Sequence, residues 1–147
     1  MSATNAFETS LLGLIFTNVD AANVGDATGL RGSSTAGVLW LSLLVGTPGE
    51  TGDQTTNEAT YTDYARQDEA RSTAAWTVTG NTVENDNQID FPVASGGSST
   101  VTYVGVGSAS SGAGNLFFYA AKSGGGLAVT SGVQPYIAAG ALDVSLD

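Results

Sequence analysis

The segment YTDYARQDEAR, residues 61–71, brings together two of the four cationic side chains of the protein and several carboxylates. Two carboxylates about 5–9.5 Å apart could serve as the acid and base of a glycosidase. Asp63 and Asp68 are separated by an odd number of positions, so they would point to opposite faces of a strand. The spacing therefore favours no catalytic pair, and we predict no catalytic residue in this segment.

Arg66, in the same segment, has a structural interpretation. A guanidinium group can bind a carboxylate through paired hydrogen bonds or donate to loop carbonyls. We expect Arg66 to hold the long polar loop 47–60 against the sheet, and we assign Tyr61 and Tyr64 to the same structural clamp. Contact with a partner is the alternative interpretation of these residues.

Other signals for chemistry are weaker. The segment ENDNQID, residues 84–90, offers Asp86, Asn87 and Asp90 to a hard cation, but the spacing of an EF-hand loop is absent. The glycine runs in SGGSST and KSGGG lack the lysine position of a phosphate-binding loop. The chain has no histidine and no cysteine, so zinc sites and histidine-dependent triads are excluded. We expect no enzyme activity, no metal and no cofactor.

Charge and hydropathy narrow the range of partners. A formal net charge of −10 repels phosphate, which argues against nucleic acid as a partner. The apolar segment GVLWLSLLVG, residues 37–46, has about half of the roughly 20 residues that a membrane-spanning helix needs. The N-terminal segment lacks the positive start of a signal peptide. We therefore expect no membrane association.

Residues 5–16 have the pattern of an amphipathic helix. Asn5 is a candidate N-cap, and Glu8 would complete a capping box. The apolar residues that follow a helical period are Phe7, Leu11, Leu14 and Ile15. We predict that the helix ends near residue 18 and that this apolar stripe is a candidate contact surface for partners.

The remainder of the chain has the pattern of short strands. A buried strand is predicted at 38–44, and the last third alternates strands with Gly-rich breaks, with strands at 99–108, 115–123, 126–132 and 141–147. Gly105 is a candidate β-bulge. We predict a mainly β fold at the margin of α+β: one domain, 1–147, formed by an antiparallel sandwich of about seven or eight strands with the N-terminal helix.

The order of segments along the chain resembles a known family. The segments are SATNAFETSLLGLIF, VLWLSLLVGTPGETG, EATYTDYAR, IDFPVASGG, VTYVGVGSASSGAGNLFFYAA and SGVQPYIAAGALDVSLD. They resemble small virion proteins of tailed bacteriophages, often labelled tail fibre proteins and similar to capsid decoration (cement) proteins. The most specific pieces are Tyr61, Tyr64 and Arg66, then Phe91 with Pro92, then residues 139–142. The resemblance covers nearly the whole chain and implies no catalytic residue.

The resemblance implies a structural virion protein that is made in the host cytoplasm. Because the chain has neither coiled-coil heptads nor repeats, it lacks the pattern of a long fibre shaft. We therefore expect a decoration protein on the outer surface of the capsid. It would stabilise the head through contacts with the major capsid protein and with sister subunits, as a homo-oligomer, using residues 1–16 and the loops 20–36 and 47–60.

Two alternatives remain open at this point. The first is a tail fibre or tail-tip module that binds a host surface receptor or glycan. The second is an acidic decoy that imitates DNA. The decoy is less favoured because the acidic residues are spread through loops rather than set in a row.

Overall fold

The computed structural model describes residues 3–22, 24 and 32–146. Within them the chain forms one helix, α1 (Asn5–Phe16), and eleven strands. The strands are β1 (Val38–Leu44), β2 (Gln67–Ala70), β3 (Trp76–Thr79), β4 (Thr82–Asn85), β5 (Ile89–Asp90), β6 (Ser98–Val101), β7 (Tyr103–Gly107), β8 (Leu116–Ala121), β9 (Leu127–Thr130), β10 (Tyr136–Ile137) and β11 (Asp143–Ser145). The predictions of a mainly β fold and of a helix over 5–16 are confirmed.

The strands form antiparallel sheets, and none of the described sheets closes on itself. One sheet has four strands in the order β2-β1-β7-β8, and another has three in the order β11-β4-β3. The pairs β6-β9 and β10-β5 complete the described sheets. The described residues include no helix with the length and apolar character that spanning a bilayer requires.

The described strands are more numerous and shorter than predicted. The predicted strand 99–108 divides at Thr102 into β6 and β7, which belong to different sheets. The reason is a change of partner: the Thr102 N–H donates to the Leu44 carbonyl at 2.9 Å, and the Thr102 carbonyl accepts the Lys122 N–H at 2.8 Å. A run of β-forming residues indicates extended backbone, but it does not show which neighbour the strand will pair with.

The predicted bulge also lies elsewhere. The register between β7 and β8 shifts between Val106 and Gly107, not at Gly105. Gly105 is required for close packing instead, since a Cβ atom there would lie 2.7 Å from the Ser42 hydroxyl oxygen. Glycine in a strand can mark either a bulge or a close approach, and here it marks the approach.

The start of α1 differs from its prediction. The N-cap is Thr4, which makes no side-chain capping bond, and Asn5 is the first helical residue. The prediction of a capping box formed by Asn5 and Glu8 is therefore wrong, and the Glu8 side chain is buried. The helix ends where predicted, since Asn18 adopts a left-handed backbone (φ 59°), which asparagine tolerates at helix ends.

The buried face of α1 is not the predicted apolar stripe. Leu12 and Phe16 are fully buried, and Glu8 is buried as well. The three residues follow one another at intervals of four, so they lie on one face of the helix. The side chain of Phe16 packs edge to face on Trp76, with ring centroids 4.8 Å apart, which sets the orientation of the helix. The four residues of the predicted stripe are exposed or half-buried: Phe7, Leu11, Leu14 and Ile15. Their role in partner contact stays a prediction.

The chain divides into two compact units. The first comprises 1–38, 70–88 and 137–147, and its described part contains α1 with the sheet β11-β4-β3. The second comprises 39–69 and 89–136 and contains most of the four-stranded sheet. The prediction of a single domain over 1–147 stays a prediction.

Candidate functional site

Arg66 is the centre of the polar network in the second unit. The residue is only 4% exposed. Its Nε donates to Glu58 Oε1 at 2.6 Å, and its Nη2 donates to Glu58 Oε2 at 2.9 Å. This paired geometry is the strong form of an arginine–carboxylate contact. The bond to Glu58 also raises the pKa of Arg66 above its ordinary value, so the guanidinium stays charged.

The remaining donors of Arg66 bind a second loop. Nη1 donates to the Ala109 carbonyl at 2.8 Å, and Nη2 donates to the Gly112 carbonyl at 2.9 Å. These carbonyls belong to SASSGAG, residues 108–114, which we call the Ser loop. Glu58 follows directly on GTPGETGDQTTN, residues 46–57, which we call the Thr loop. One buried side chain thus ties the Ser loop to the base of the Thr loop.

Gln54 makes a second connection between the same loops. Its Oε1 accepts the Ala109 N–H at 2.8 Å, and its own backbone N–H donates to the Gly114 carbonyl at 3.1 Å. The fully buried side chain fills the space that a Cβ atom would need at Gly107 and at Gly114. The Thr loop therefore packs onto the sheet through Gln54, and this packing requires that Gly107 and Gly114 have no side chain.

Tyr64 connects Glu58 to strand β1. Its hydroxyl donates to Glu58 Oε1 at 2.9 Å and accepts the Leu43 N–H at 3.1 Å. Burial raises the pKa of Tyr64 far above its ordinary value, so the phenol remains a donor to the carboxylate. Tyr61 packs edge to face on Tyr64, with centroids 5.4 Å apart, and its hydroxyl donates to the Pro92 carbonyl at 3.1 Å.

The Thr loop is also ordered internally. Asp53 Oδ1 accepts the Thr55 N–H at 2.8 Å and the Thr55 hydroxyl at 2.6 Å, a local turn that aspartate favours. These bonds, led by the Thr55 hydroxyl, hold the pKa of Asp53 below its ordinary value. Near the tip of the loop, the Tyr119 hydroxyl of β8 donates to Glu50 Oε1 at 2.8 Å. The loop is therefore fixed at its centre and near its tip.

The structure thus places Arg66 against both kinds of partner considered for it, a carboxylate and loop carbonyls. It also brings Tyr61 and Tyr64 beside it, as assigned from the sequence. Gln54 and Glu58 lie within the loop 47–60 but were not singled out from the sequence, and neither was the Ser loop. The stabilising role of the clamp stays a prediction.

Comparison with protein families identifies the family of the chain. The model of one family, described as podophage GP4 fiber I protein gp80, matches residues 2–145. The chain belongs to this family. The resemblance to small tailed-phage virion proteins is therefore confirmed, and the family indicates a fibre protein of the phage virion. A search of curated proteins finds no match.

Arg71 has a role in this gp80-family chain that sequence reasoning missed. In the first unit, its Nε and Nη2 donate to the carbonyls of Ile15 (2.7 Å) and Leu14 (2.6 Å), and its Nη1 donates to the Ala36 carbonyl at 2.9 Å. The last carbonyls of a helix have no partner within the helix, and a cation there is favourable. The last turn of α1 contains no basic residue of its own, and this absence was the available sequence signal that a distant cation could bind there.

The segment 84–90 provides a structural asparagine rather than an evident metal site. The amide nitrogen of buried Asn85 donates to the carbonyls of Asn87 (2.7 Å) and Ala138 (2.9 Å), and its Oδ1 accepts the Leu142 N–H at 2.9 Å. Among the described residues, no cluster of three acidic, histidine or cysteine side chains could hold a metal ion.

Proposed function

We propose that this gp80-family chain is a fibre module that presents the Thr loop and the Ser loop to a neutral glycan on the host surface. The observation that supports this most is the connection of both exposed loops to one buried frame by Arg66 and Gln54. A loop that is already ordered loses less conformational entropy on binding than a mobile one. The module would bind directly, without enzymatic turnover or a cofactor.

The chemistry of the two loops fits a neutral carbohydrate. The Thr loop contains hydroxyls, amides and the carboxylates of Glu50 and Asp53, and neither loop contains a lysine or arginine. Beside the Thr loop, the half-buried rings of Tyr103 and Tyr119 lie 6.5 Å apart. Tyrosine offers an apolar ring face with a polar hydroxyl. Such a surface suits sugar rings and hydroxyls and disfavours an anionic polymer.

The experiment measures binding of the purified chain to host cells and to isolated host surface polysaccharide. Glu50→Gln removes a carboxylate at the tip of the Thr loop, and Glu84→Gln makes the same change at an exposed position of β4. Glu50→Gln should weaken binding severalfold, whereas Glu84→Gln should leave it unchanged. Equal binding by both variants, or no loss of binding after enzymatic removal of the surface glycan, would contradict the proposal.

A second candidate is the capsid decoration protein expected from the sequence. The observation that favours it is the outer side of α1, where Phe7 is 44% exposed and Leu11, Leu14 and Ile15 are half-buried. Apolar side chains in this position suit a contact with a major capsid protein. Phe7→Glu, which leaves buried Leu12 and Phe16 in place, would then abolish attachment to empty capsids. Part of the loop 20–36, to which contacts were also assigned, lies outside the described residues.

A further inference from the structure

Trp40 lies where the Thr loop packs onto the four-stranded sheet. The register pairs Trp40 of β1 with Gly107 of β7. Residues that are paired in this way place their side chains on the same face of a sheet. The buried Gln54 side chain fills the space above Gly107 on that face. The half-buried ring of Trp40 therefore lies beside the point where Gln54 anchors the loop.

The surroundings of Trp40 are short of hydrogen-bond acceptors. The Gln54 Nε2 atom is buried and has no acceptor within the described part of the chain. The Oε1 atom of the same amide accepts the Ala109 N–H, which leaves Nε2 on the side of Gly107. The indole N–H of Trp40 likewise donates to none of the residues that the structure describes. Most polar groups in proteins are paired, so unpaired donors mark a place where another molecule can supply acceptors.

A second aromatic position lies on the same face of the sheet. Tyr103 of β7 is paired with Leu44, four residues after Trp40 along β1. Side chains four residues apart in a strand point to the same side, and a rise of about 3.3 Å per residue separates them by about 13 Å. Tyr119, whose ring centroid lies 6.5 Å from that of Tyr103, belongs to this second position. The face thus has two aromatic positions, about 13 Å apart along the strands.

The Thr loop spans the distance between these two positions. Gln54 anchors the loop beside Trp40, and Glu50 accepts the Tyr119 hydroxyl at the other position. The side chains of β1 that lie between the two positions on this face are fully buried: Ser42 and Leu44. A ligand that contacts both aromatic positions must therefore run along the exposed side of the Thr loop rather than along the sheet.

We propose that Trp40 is a second sugar-binding position and that the ligand is an extended oligosaccharide, which reaches from the pair of Tyr103 and Tyr119 to Trp40 along the Thr loop. This inference rests on the glycan function proposed above and specifies the length of glycan that the site takes. A distance of about 13 Å is longer than one pyranose ring, so only a chain of several sugar units occupies both positions.

The chemistry of Trp40 suits such a ligand. An indole ring offers a large apolar face to the C–H groups of a sugar ring and a polar N–H at its edge. Sugar hydroxyls and ring oxygens are acceptors, which the donors at this end of the site lack. The Thr loop and the Ser loop contain no lysine or arginine, so the contacts depend on stacking and hydrogen bonds rather than on attraction to an anion.

Binding of fragments of defined length tests the proposal. Isolated host surface polysaccharide is partially hydrolysed, and the fragments are separated by length and titrated against the full chain in a calorimeter. The affinity of the wild type should rise with fragment length until both positions are covered. Trp40→Ala should bind the shortest fragments as the wild type does, but the long fragments about tenfold more weakly, which corresponds to the loss of one strong aromatic contact. Trp76→Phe, a change of the other tryptophan in the first unit, is the control and should bind every fragment like the wild type.

Fluorescence follows Trp40 without altering it. The chain has two tryptophans, so Trp40 is the only one in the Trp76→Phe variant. Saturation with a long fragment should shift the emission of Trp40 and shield it from quenching by acrylamide. This measurement does not depend on whether Trp40→Ala folds.

The outcomes separate this inference from the glycan function on which it rests. If fragments of every length fail to bind the wild type, the glycan function itself is wrong, and the role of Trp40 is wrong with it. If fragments bind but their affinity is independent of length, or if Trp40→Ala keeps the length dependence, only the extended site is refuted. Unchanged emission of Trp40 at saturation with a long fragment would refute it as well.

Discussion

Replacement of Arg66 by methionine is the sharpest test of the clamp. Methionine keeps most of the side-chain volume but removes two bonds to Glu58 and one each to Ala109 and Gly112. Removing one partner of a buried ion pair costs about 3–5 kcal/mol, because the other charge is left without compensation. We expect about 3 kcal/mol, at the lower end, since the Glu58 side chain is 18% exposed and keeps its bond from Tyr64.

Thermal unfolding of the purified chain measures this loss. For a protein of this size, a loss of about 3 kcal/mol lowers the melting temperature by roughly 6–12 °C. The chain has two tryptophans, and Trp40 lies in β1 of the second unit. A Trp76→Phe background therefore makes the fluorescence of Trp40 the reporter for the unit that contains the clamp.

Two further variants decide how the result is interpreted. Lys122→Met removes an exposed cation and is the matched control, with no change in melting temperature expected. Glu58→Gln combined with Arg66→Met should cost less than the sum of the single changes, because the double variant leaves no unpaired buried charge. If Arg66→Met melts at the same temperature as Lys122→Met, the clamp does not stabilise the protein.

Three other changes test separate parts of the structure. The pKa of Tyr64 is raised in the folded state, so the phenol stabilises the fold fully below pH 10 and this stabilisation is lost above pH 10, by about 1.4 kcal/mol per pH unit. Tyr64→Phe should therefore flatten the alkaline decline in the free energy of unfolding, measured by denaturant titration. Arg71→Met should lower stability by about 1–2 kcal/mol and speed hydrogen exchange in the last turn of α1, because the Leu14 carbonyl loses its partner. Gly107→Ala should destabilise by about 1–3 kcal/mol, because its Cβ atom would overlap Gln54; an unchanged midpoint in urea would contradict the packing described for that loop.

The helix shows what the sequence could and could not indicate. Its bounds were predictable, because a run of apolar residues at helical spacing ends at a polar, Asn-containing turn. Its buried face was not, because apolar residues occur on more than one side of α1. The choice depends on the contact between Phe16 and Trp76, which are far apart in the sequence.

The clamp, like the helix, was only partly predictable from the sequence. The environment of Arg66 was foreseeable from its type, since a buried guanidinium requires acceptors. Its connection to the Ser loop was not, because Ala109 and Gly112 contribute backbone carbonyls and any residue type has one. The contribution of Gln54 was hidden for a related reason: it depends on the missing side chains of Gly107 and Gly114.

The position of the protein on the virion tests the central claim most directly. Immunogold labelling or electron cryomicroscopy of intact particles, with an antibody raised against the purified chain, gives this position. A fibre module should be labelled on the fibres, and adsorption should fall when the antibody blocks the Thr loop. Label spread over the capsid surface, with adsorption unaffected, would contradict the fibre role and support the decoration role instead.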